Sequence, residues 1–439
     1  MLAPVRTRPT STLSKPGYEK IVKTCEVARE RYKLDWVWID TCCIDKTSSS
    51  ELSEAINSMF KWYRSATVCL VYLADVNVFE REFVKSRWFR RGWTLQELIA
   101  PRDVVFFDCG WVQGGTKKSM AGRIAATTGI STSVLTGARF LSTVPVAARM
   151  SWAALRETTK EEDLAYCLLG IFSVNMPMLY GEGAKAFIRL QEEIMRNSAD
   201  LSIFLWEDSA MTQKYTGLLS RSPTAFYRMG KVAVEPTFSQ REFLVTNRGI
   251  RLKLGLHVNA VPSSGLAVLP LGHVVNPSKG SLGIYLRRAG LDLFVRTRPK
   301  ECFEGDINRM FTKFQVVKSL HYHQSVAMWD NRLVISNPLS LPVSSVEPPG
   351  CWDPKHGIVY SGFSGAFLGY IEFELSAHDK FAVVFCHRDH VWSCDVVQGQ
   401  KWAQVQKNFQ SHYMARYDRL IYAQGLLFWW QDRRGSQGV

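Results

Sequence analysis

The feature that most constrains this chain is a change of hydrophobic period near residue 215. Ahead of it, short apolar runs alternate with amphipathic helical stretches; behind it, short β-type runs dominate. Alternating strands and helices predict βαβ units and a parallel sheet. Residues 18–32 have helical spacing through Ile21, Cys25, Ala28 and Tyr32, and lead into Trp36-Val37-Trp38-Ile39-Asp40, an apolar run predicted as a buried strand. Ser48-Ser49-Ser50-Glu51 has the form of a capping box. Behind it Leu52, Ile56, Met59, Phe60 and Tyr63 line one helix face. Residues 67–73 and 104–107 predict two more buried strands, and 110–145, rich in Gly, Ser and Thr, a linker or irregular insertion. Helices are expected at 161–172 and 183–196, and a closing strand at 201–206. Beyond residue 215 the runs at 242–245, 250–254, 266–271, 282–286, 291–295, 314–317, 332–336, 367–375 and 381–385 predict an antiparallel sandwich or barrel. The expected organisation is a flexible arm at 1–16, an α/β domain at 17–206, a linker at 207–240 and a β-rich domain at 241–439.

Composition narrows the class. A chain of 439 residues suits two or three domains, and 46% hydrophobic with 21% charged residues excludes global disorder. No apolar run approaches the roughly 18 residues that a spanning helix needs, and the first residues carry no hydrophobic signal core. Ten cysteines are too few for a disulfide scaffold, and Cys42 and Cys43 are adjacent rather than spaced for a bridge. A reducing, cytoplasmic location is expected. The net charge is +14, but Lys and Arg are scattered and form no five-residue basic block. Without a helix-turn-helix pattern or zinc-finger spacing, this reads as a solvated basic surface rather than a specific nucleic-acid site. A basic nucleic-acid-binding protein is the least favoured of the readings.

The chemistry-bearing residues are few. Arg90-Arg91-Gly92-Trp93-Thr94-Leu95-Gln96-Glu97-Leu98-Ile99-Ala100-Pro101 puts a lone carboxylate in a short helix between a glycine break and a proline stop. Burying such a charge is costly unless it is paired. Glu97 is therefore either half of an ion pair with Arg90 or Arg91, or an acid kept for chemistry. Asp40 and Asp45 flank the loop after the first expected strand, where ligand clefts of open α/β sheets lie, or serve as caps. All nine histidines lie at or beyond His257, so no Ser-His or Cys-His couple falls within the first 256 residues. Cys386-His387-x-x-His390 with Cys394 has metal-like spacing but no second partner pair, and no metal is expected. Gly181-Glu182-Gly183 opens a helix whose N–H groups suit an anion, or simply starts it.

Taken in order, the motifs resemble the fungal heterokaryon-incompatibility (HET) domain. The likeness is carried by Trp36-Val37-Trp38-Ile39-Asp40-Thr41-Cys42-Cys43-Ile44-Asp45-Lys46, the helix beginning Glu51-Leu52-Ser53-Glu54-Ala55, Arg91-Gly92-Trp93-Thr94-Leu95-Gln96-Glu97-Leu98 and Arg149-Met150-Ser151-Trp152-Ala153. Glu161-Glu162-Asp163-Leu164-Ala165-Tyr166 and Met176-Pro177-Met178-Leu179-Tyr180-Gly181-Glu182-Gly183 complete it, over roughly residues 17–206. Gly217-Leu218-Leu219-Ser220 and Thr246-Asn247-Arg248-Gly249-Ile250 resemble the segment that commonly follows this domain.

The resemblance implies a self/non-self recognition module acting in heterokaryon incompatibility and programmed cell death. Its expected partners are further HET domains in homotypic assembly and an incompatibility partner protein. HET domains are also distantly similar to TIR domains, which implies a flavodoxin-like parallel sheet. Several TIR domains cleave NAD with a glutamate on a helix after a Trp-containing turn. Glu97 would then be the catalytic acid, with Asp40, Asp45, Arg91 and Trp93 around the nucleotide. NAD would be the substrate, with no cofactor required. HET domains usually begin with a strand of the type Tyr-x-x-Leu-Ser-His-Thr-Trp-Gly ahead of the block matching Gly17-Tyr18-Glu19-Lys20-Ile21. A Pro- and Thr-rich arm occupies that position here, so the sheet is expected without its first strand. That expectation favours a binding module over an enzyme.

Overall fold

A computed structural model describes residues 16–234, 243–247, 249–258, 266–290, 293–305, 310–318 and 331–409, the last apart from 336, 338–339, 356, 363–365, 377–378, 389–390 and 408. Of the arm expected at 1–16, all but residue 16 lies outside the described residues. The chain divides into two compact units. The first holds residues 1–208, 219–240 and 272–277; the second holds 209–218, 241–271 and 278–439.

The first unit begins with α1 (Pro16–Tyr32), the single turn α2 (Asp40–Cys43) and α3 (Ser49–Ser65). Ser48 caps α3 by accepting the Glu51 N–H at 3.3 Å, while the Glu51 carboxylate reaches past the cap to the Asp45 N–H at 3.0 Å. β1 (Cys69–Tyr72) and β2 (Val104–Phe107) pair in parallel, with Cys69 opposite Val104. The crossover between them runs through α4 (Phe79–Glu82), two 3-10 turns (Phe83–Lys85 and Arg87–Arg90) and α5 (Thr94–Ile99). All four β2 residues are buried. Phe83 and Trp88 meet the Phe106 ring edge-on at 5.0 and 5.7 Å.

β3 (Gln113–Thr116) lies antiparallel on the other edge of β2. The connection is too short for a parallel crossover, which needs a dozen or more residues. Trp111 takes φ +60° in that turn and stacks on Tyr72 at 4.8 Å. The N-terminal region is thus α/β, but its sheet is small and mixed rather than wholly parallel. Residues 110–145, expected as a linker or irregular insertion, hold β3, α6 (Ala121–Thr128) and α7 (Thr132–Leu135).

α8 (Val146–Ser151) is almost wholly buried. The helix expected at 161–172 is broken into α9 (Asp163–Tyr166) and α10 (Leu169–Phe172), followed by α11 (Lys185–Asn197). The break lets α10 lie against α3, where a Cβ on Gly170 would stand 2.0 Å from Phe60 Cβ. Two expected strands are absent. Residues 36–39 form no strand: Trp36 is exposed, and Trp38 turns onto α3, edge-on to Trp62 and Tyr63 at 5.3 and 5.5 Å. The run at 201–206 contains a buried 3-10 turn, Leu201–Phe204, capped by Asp200, which accepts the Ser202 N–H at 2.8 Å. A further 3-10 stretch, Pro223–Lys231, packs on α8. β4 (Tyr215–Thr216) belongs to the second unit; β5 (Ala233–Val234) pairs with Val274 and His273 in the first.

The second unit is rich in antiparallel strands, as its turn-separated runs predict. β6 (Phe243–Thr246), β7 (Gly249–Val258), β8 (Leu266–Val274), β9 (Ser281–Arg288), β10 (Leu293–Thr297), β11 (Phe303–Gly305) and β12 (Met310–Val316) join in the order β11-β9-β10-β12-β7-β8, with β6 on β7 and β4 on β10. β10 and β12 run parallel, while the β6–β7, β7–β8, β7–β12, β9–β10, β9–β11 and β4–β10 pairs are antiparallel. β13 (Arg332–Val334), β14 (Val343–Glu347), β15 (Trp352–Asp353), β16 (Ile358–Tyr360), β17 (Ala366–Ser376), β18 (Asp379–Arg388) and β19 (Val391–Gln398) form two smaller antiparallel sheets. α12 (Gly399–Lys407) covers one face of the last, packing Trp402 and Val405 on Ala382, Val384 and Cys386. Of the expected runs, residues 242, 291–292 and 336 lie outside the described residues.

Candidate functional site

The site builds outward from α5. Gly92 starts it, because a side chain there would press on Thr158 Cγ2 at 2.5 Å; its N–H instead donates to the Glu157 carbonyl at 2.9 Å. Thr94 is buried, and its hydroxyl donates to the Trp88 carbonyl at 2.5 Å. The half-buried Glu97 therefore faces back along the chain. Its Oε2 accepts the Trp88 indole N–H at 3.1 Å. Among the described residues it forms no ion pair with Arg90 or Arg91, so of the two alternatives left open by the sequence the arginine pairing is not the one found.

Burial pushes the Glu97 carboxyl above the ordinary range; the Trp88 hydrogen bond opposes this, Asp40 adds to it, and Lys20 and Arg91 offset it. Tyr63 on α3 is held protonated first by its own burial and then by the negative charge of Glu97. Four α/β elements thus bring Asp40, Tyr63, Trp88 and Glu97 together, with Arg91 and Lys20 near enough to be felt electrostatically.

The other expected site residues are engaged elsewhere. The Asp45 carboxylate turns back on Thr47, accepting its N–H at 2.9 Å and its hydroxyl at 2.6 Å, and these bonds lower its pKa. Trp93 packs with Trp38, Leu52 and Tyr63 against Ile44, Ala55 and Met59. Its indole also bonds Asp163, whose carboxyl is raised by burial against the bonds from Tyr180 (3.0 Å) and Trp93. The N–H groups of Gly181 and Gly183 already hold an anion of this chain: Glu162 Oε1 accepts them at 2.7 and 3.0 Å. In the second unit β-strand alternation parts the cysteine–histidine set. Cys386 faces α12, while His387 stacks on Trp392 and Cys394 packs with that ring on the opposite face; His390 lies outside the described residues.

Two buried cations that sequence reading missed clamp α5 at both ends. Arg156 donates to the Arg91 carbonyl at 2.8 Å, to Thr94 Oγ1 at 3.0 Å and to the Trp152 carbonyl at 3.1 Å. Lys117 donates to the Leu98 carbonyl at 3.2 Å and to the Pro101 carbonyl. Burial lowers both, Arg156 to about 10 and Lys117 to about 8. Cations near the last carbonyls of a helix offset their partial charge. No local pattern could reveal either residue, since Arg156 meets Thr94 across 62 positions. A third surprise is His273, which folds into the first unit and sets its Nε2 3.0 Å from Asp200 Oδ1. Position in sequence did not keep histidine out of that unit. Chemically, Glu97 is a carboxyl with a raised pKa on a rigidly held turn, beside a second carboxylate and a protonated phenol. Such a group can stabilise cationic charge or pass a proton.

Comparison with known proteins adds three findings. The model for the family "Heterokaryon incompatibility protein (HET)" matches residues 11–81, and that for a domain of unknown function, DUF8212, matches residues 185–258. The vegetative incompatibility protein HET-E-1 of Podospora anserina is 47% identical over 201 residues, which is 43% of this chain and 15% of that protein. This chain thus spans a small part of that relative's length. No solved structure matches it. The HET match ends before α5, so Glu97 and its clamp lie beyond it.

Proposed function

We propose that this chain, whose residues 11–81 match the model of the heterokaryon incompatibility (HET) family, acts in heterokaryon incompatibility, as a module whose activation ends in cell death. The observation that carries the reading is the 47% identity to a protein named for vegetative incompatibility. In this reading the α/β unit works in the cytoplasm by assembling with further HET domains after contact with an incompatibility partner. No helix among the described residues is long and apolar enough to cross a membrane. The test is induced expression of the full chain in a filamentous fungal host, scored with a vital dye. Cell death above that of an empty vector is expected; confirmed expression with undiminished viability would sink the proposal.

A second, chemical reading is favoured by Glu97 alone. The parallel β1–β2 pair with α5 in its crossover supports a TIR-like arrangement. Cleavage of the nicotinamide–ribose bond of NAD passes through an oxocarbenium-like transition state, which an ionised carboxylate stabilises. Because the Glu97 carboxyl is raised, the ionised fraction, and with it the rate of nicotinamide release, should climb with pH through that raised value. Asp40 would then lie near the ribose. Release that survives Glu97→Gln would remove Glu97 from the chemistry.

A further inference from the structure

We propose that the second unit carries a binding cavity for a small phosphorylated molecule of nucleotide size, independent of the Glu97 site. A cavity of about 560 Å³ lies beside β4, the end of β10 and β9, lined among others by Lys214, Tyr215, Arg287, Arg298, Lys300 and Glu301. That volume is in the range that holds a drug-sized or nucleotide-sized ligand. The pairings Val295 with Arg287 and Thr297 with Tyr215 put all four side chains on one face of the sheet.

Charge is what the cavity fails to balance. Four cations line it against one carboxylate, Glu301, and that carboxylate is paired with Arg298 at 3.4 Å. Lys214, Arg287 and Lys300 form no ion pair among the described residues. Arg287 donates one guanidinium nitrogen to the Tyr215 hydroxyl and lies over the ring at 5.2 Å, but its buried Nε meets no partner among the described residues. Arg332 is held below the ordinary arginine range by burial and then by this same guanidinium, so Arg287 feels a second positive charge besides those that line the cavity. Like charges held close in a half-buried place repel unless an anion joins them.

Backbone strain adds a second, independent sign. Arg298 sits at φ +51°, a conformation unusual for a non-glycine residue, and its guanidinium stacks over Tyr285 at 4.8 Å. The strained turn holds the run Arg298-Pro299-Lys300 at the cavity wall. Arginine forks and lysines around a concave space suit phosphate oxygens. Leu266, which is only half-buried, gives the apolar body of the ligand a surface.

The experiment uses the full chain and calorimetric titration with ADP, inorganic pyrophosphate and adenosine at low ionic strength. ADP should bind in the micromolar range, pyrophosphate more weakly, and adenosine not measurably. Lys300→Gln and Arg287→Gln should each weaken ADP about tenfold, the worth of one charge-assisted hydrogen bond. Lys214→Gln combined with Lys300→Gln, both at the rim, guards against a folding artefact and should leave the circular dichroism spectrum unchanged. Absence of ADP and pyrophosphate binding up to millimolar concentration would overturn the proposal. So would equal ADP affinity in the folded double variant, or an acidic peptide binding more tightly than ADP.

Discussion

At the scale of single residues, Glu97 is the informative case. Its hydrogen bond comes from an indole, and its charge is half-buried without an arginine partner. A carboxyl raised in the folded state binds its proton more tightly there than when unfolded. Its contribution is therefore most favourable below the unfolded value near 4.5 and declines as pH rises through the raised one. Glu97→Gln keeps an oxygen for the Trp88 N–H and removes the buried charge. At pH 7 it should leave stability within about 0.5 kcal/mol of wild type or raise it, whereas breaking a buried ion pair costs about 3 kcal/mol or more. The difference from wild type should shrink as the pH is lowered toward 5. Urea midpoints at the two pH values decide it, and a loss of about 3 kcal/mol at pH 7 would restore the arginine pairing. The position of Glu97 in a short helix was legible from its glycine and proline bounds. Its partner was not, because the 3-10 turn Arg87–Arg90 swings Trp88 over α5 and leaves both flanking arginines exposed.

At the scale of elements, α5 is too short to be stable by itself, so its geometry rests on what holds its ends. Arg156→Met would strip donors from the Arg91 carbonyl and from Thr94. We expect a loss of about 3 kcal/mol, the cost of leaving buried polar groups unmade. Arg156→Lys should recover less than half, since one ammonium cannot serve the Arg91 carbonyl and Thr94 and also replace the Nε–H donated to the Trp152 carbonyl. Equilibrium unfolding followed by tryptophan fluorescence measures both variants; a change below about 0.5 kcal/mol in Arg156→Met would mean that α5 needs no clamp. The same scale shows why some elements were legible and others were not. α3 could be read because its cap and its apolar stripe agree, and the strands beyond residue 215 because turns separate them. Residues 36–39 and 201–206 misled because an apolar run records burial, not its geometry. Trp38 is half-buried against helix side chains, and Leu201–Phe204 winds into a turn that Asp200 caps by accepting the Ser202 N–H. β3, written Gln113-Gly114-Gly115-Thr116, carries no strand signal at all. Its glycines admit the Phe79 ring and the Met120 side chain where any Cβ would collide.

At the scale of the whole molecule, the first unit is not a continuous stretch of chain. It takes in residues 219–240 and 272–277, so a boundary drawn near residue 206 from the order of strand and helix signals and the motif match leaves part of it behind. The energetic stake is visible at Asp200. Burial alone would raise its carboxyl, but contact with His273, the Val146 N–H at 2.7 Å and the Ser202 bonds bring it down to about 2. A carboxyl lowered from its ordinary 3.8 to about 2 stabilises the fold at every pH above about 4 and loses that contribution as pH falls from 4 toward 2. His273→Gln removes the imidazole partner and leaves Asp200 beside α8 without it. The Asp200 carboxyl should then rise, and acid unfolding of the full chain should begin at a higher pH, by about one unit. A fragment ending at residue 208 lacks both His273 and the 3-10 stretch Pro223–Lys231 that packs on α8. It should unfold at a lower urea concentration than the first unit of the intact chain at neutral pH, and lose structure earlier in acid than the full-length His273→Gln variant. If the fragment instead matches the intact chain in both titrations, the returning segments contribute no stability to the first unit, and the boundary read from the sequence near residue 206 is the energetic one.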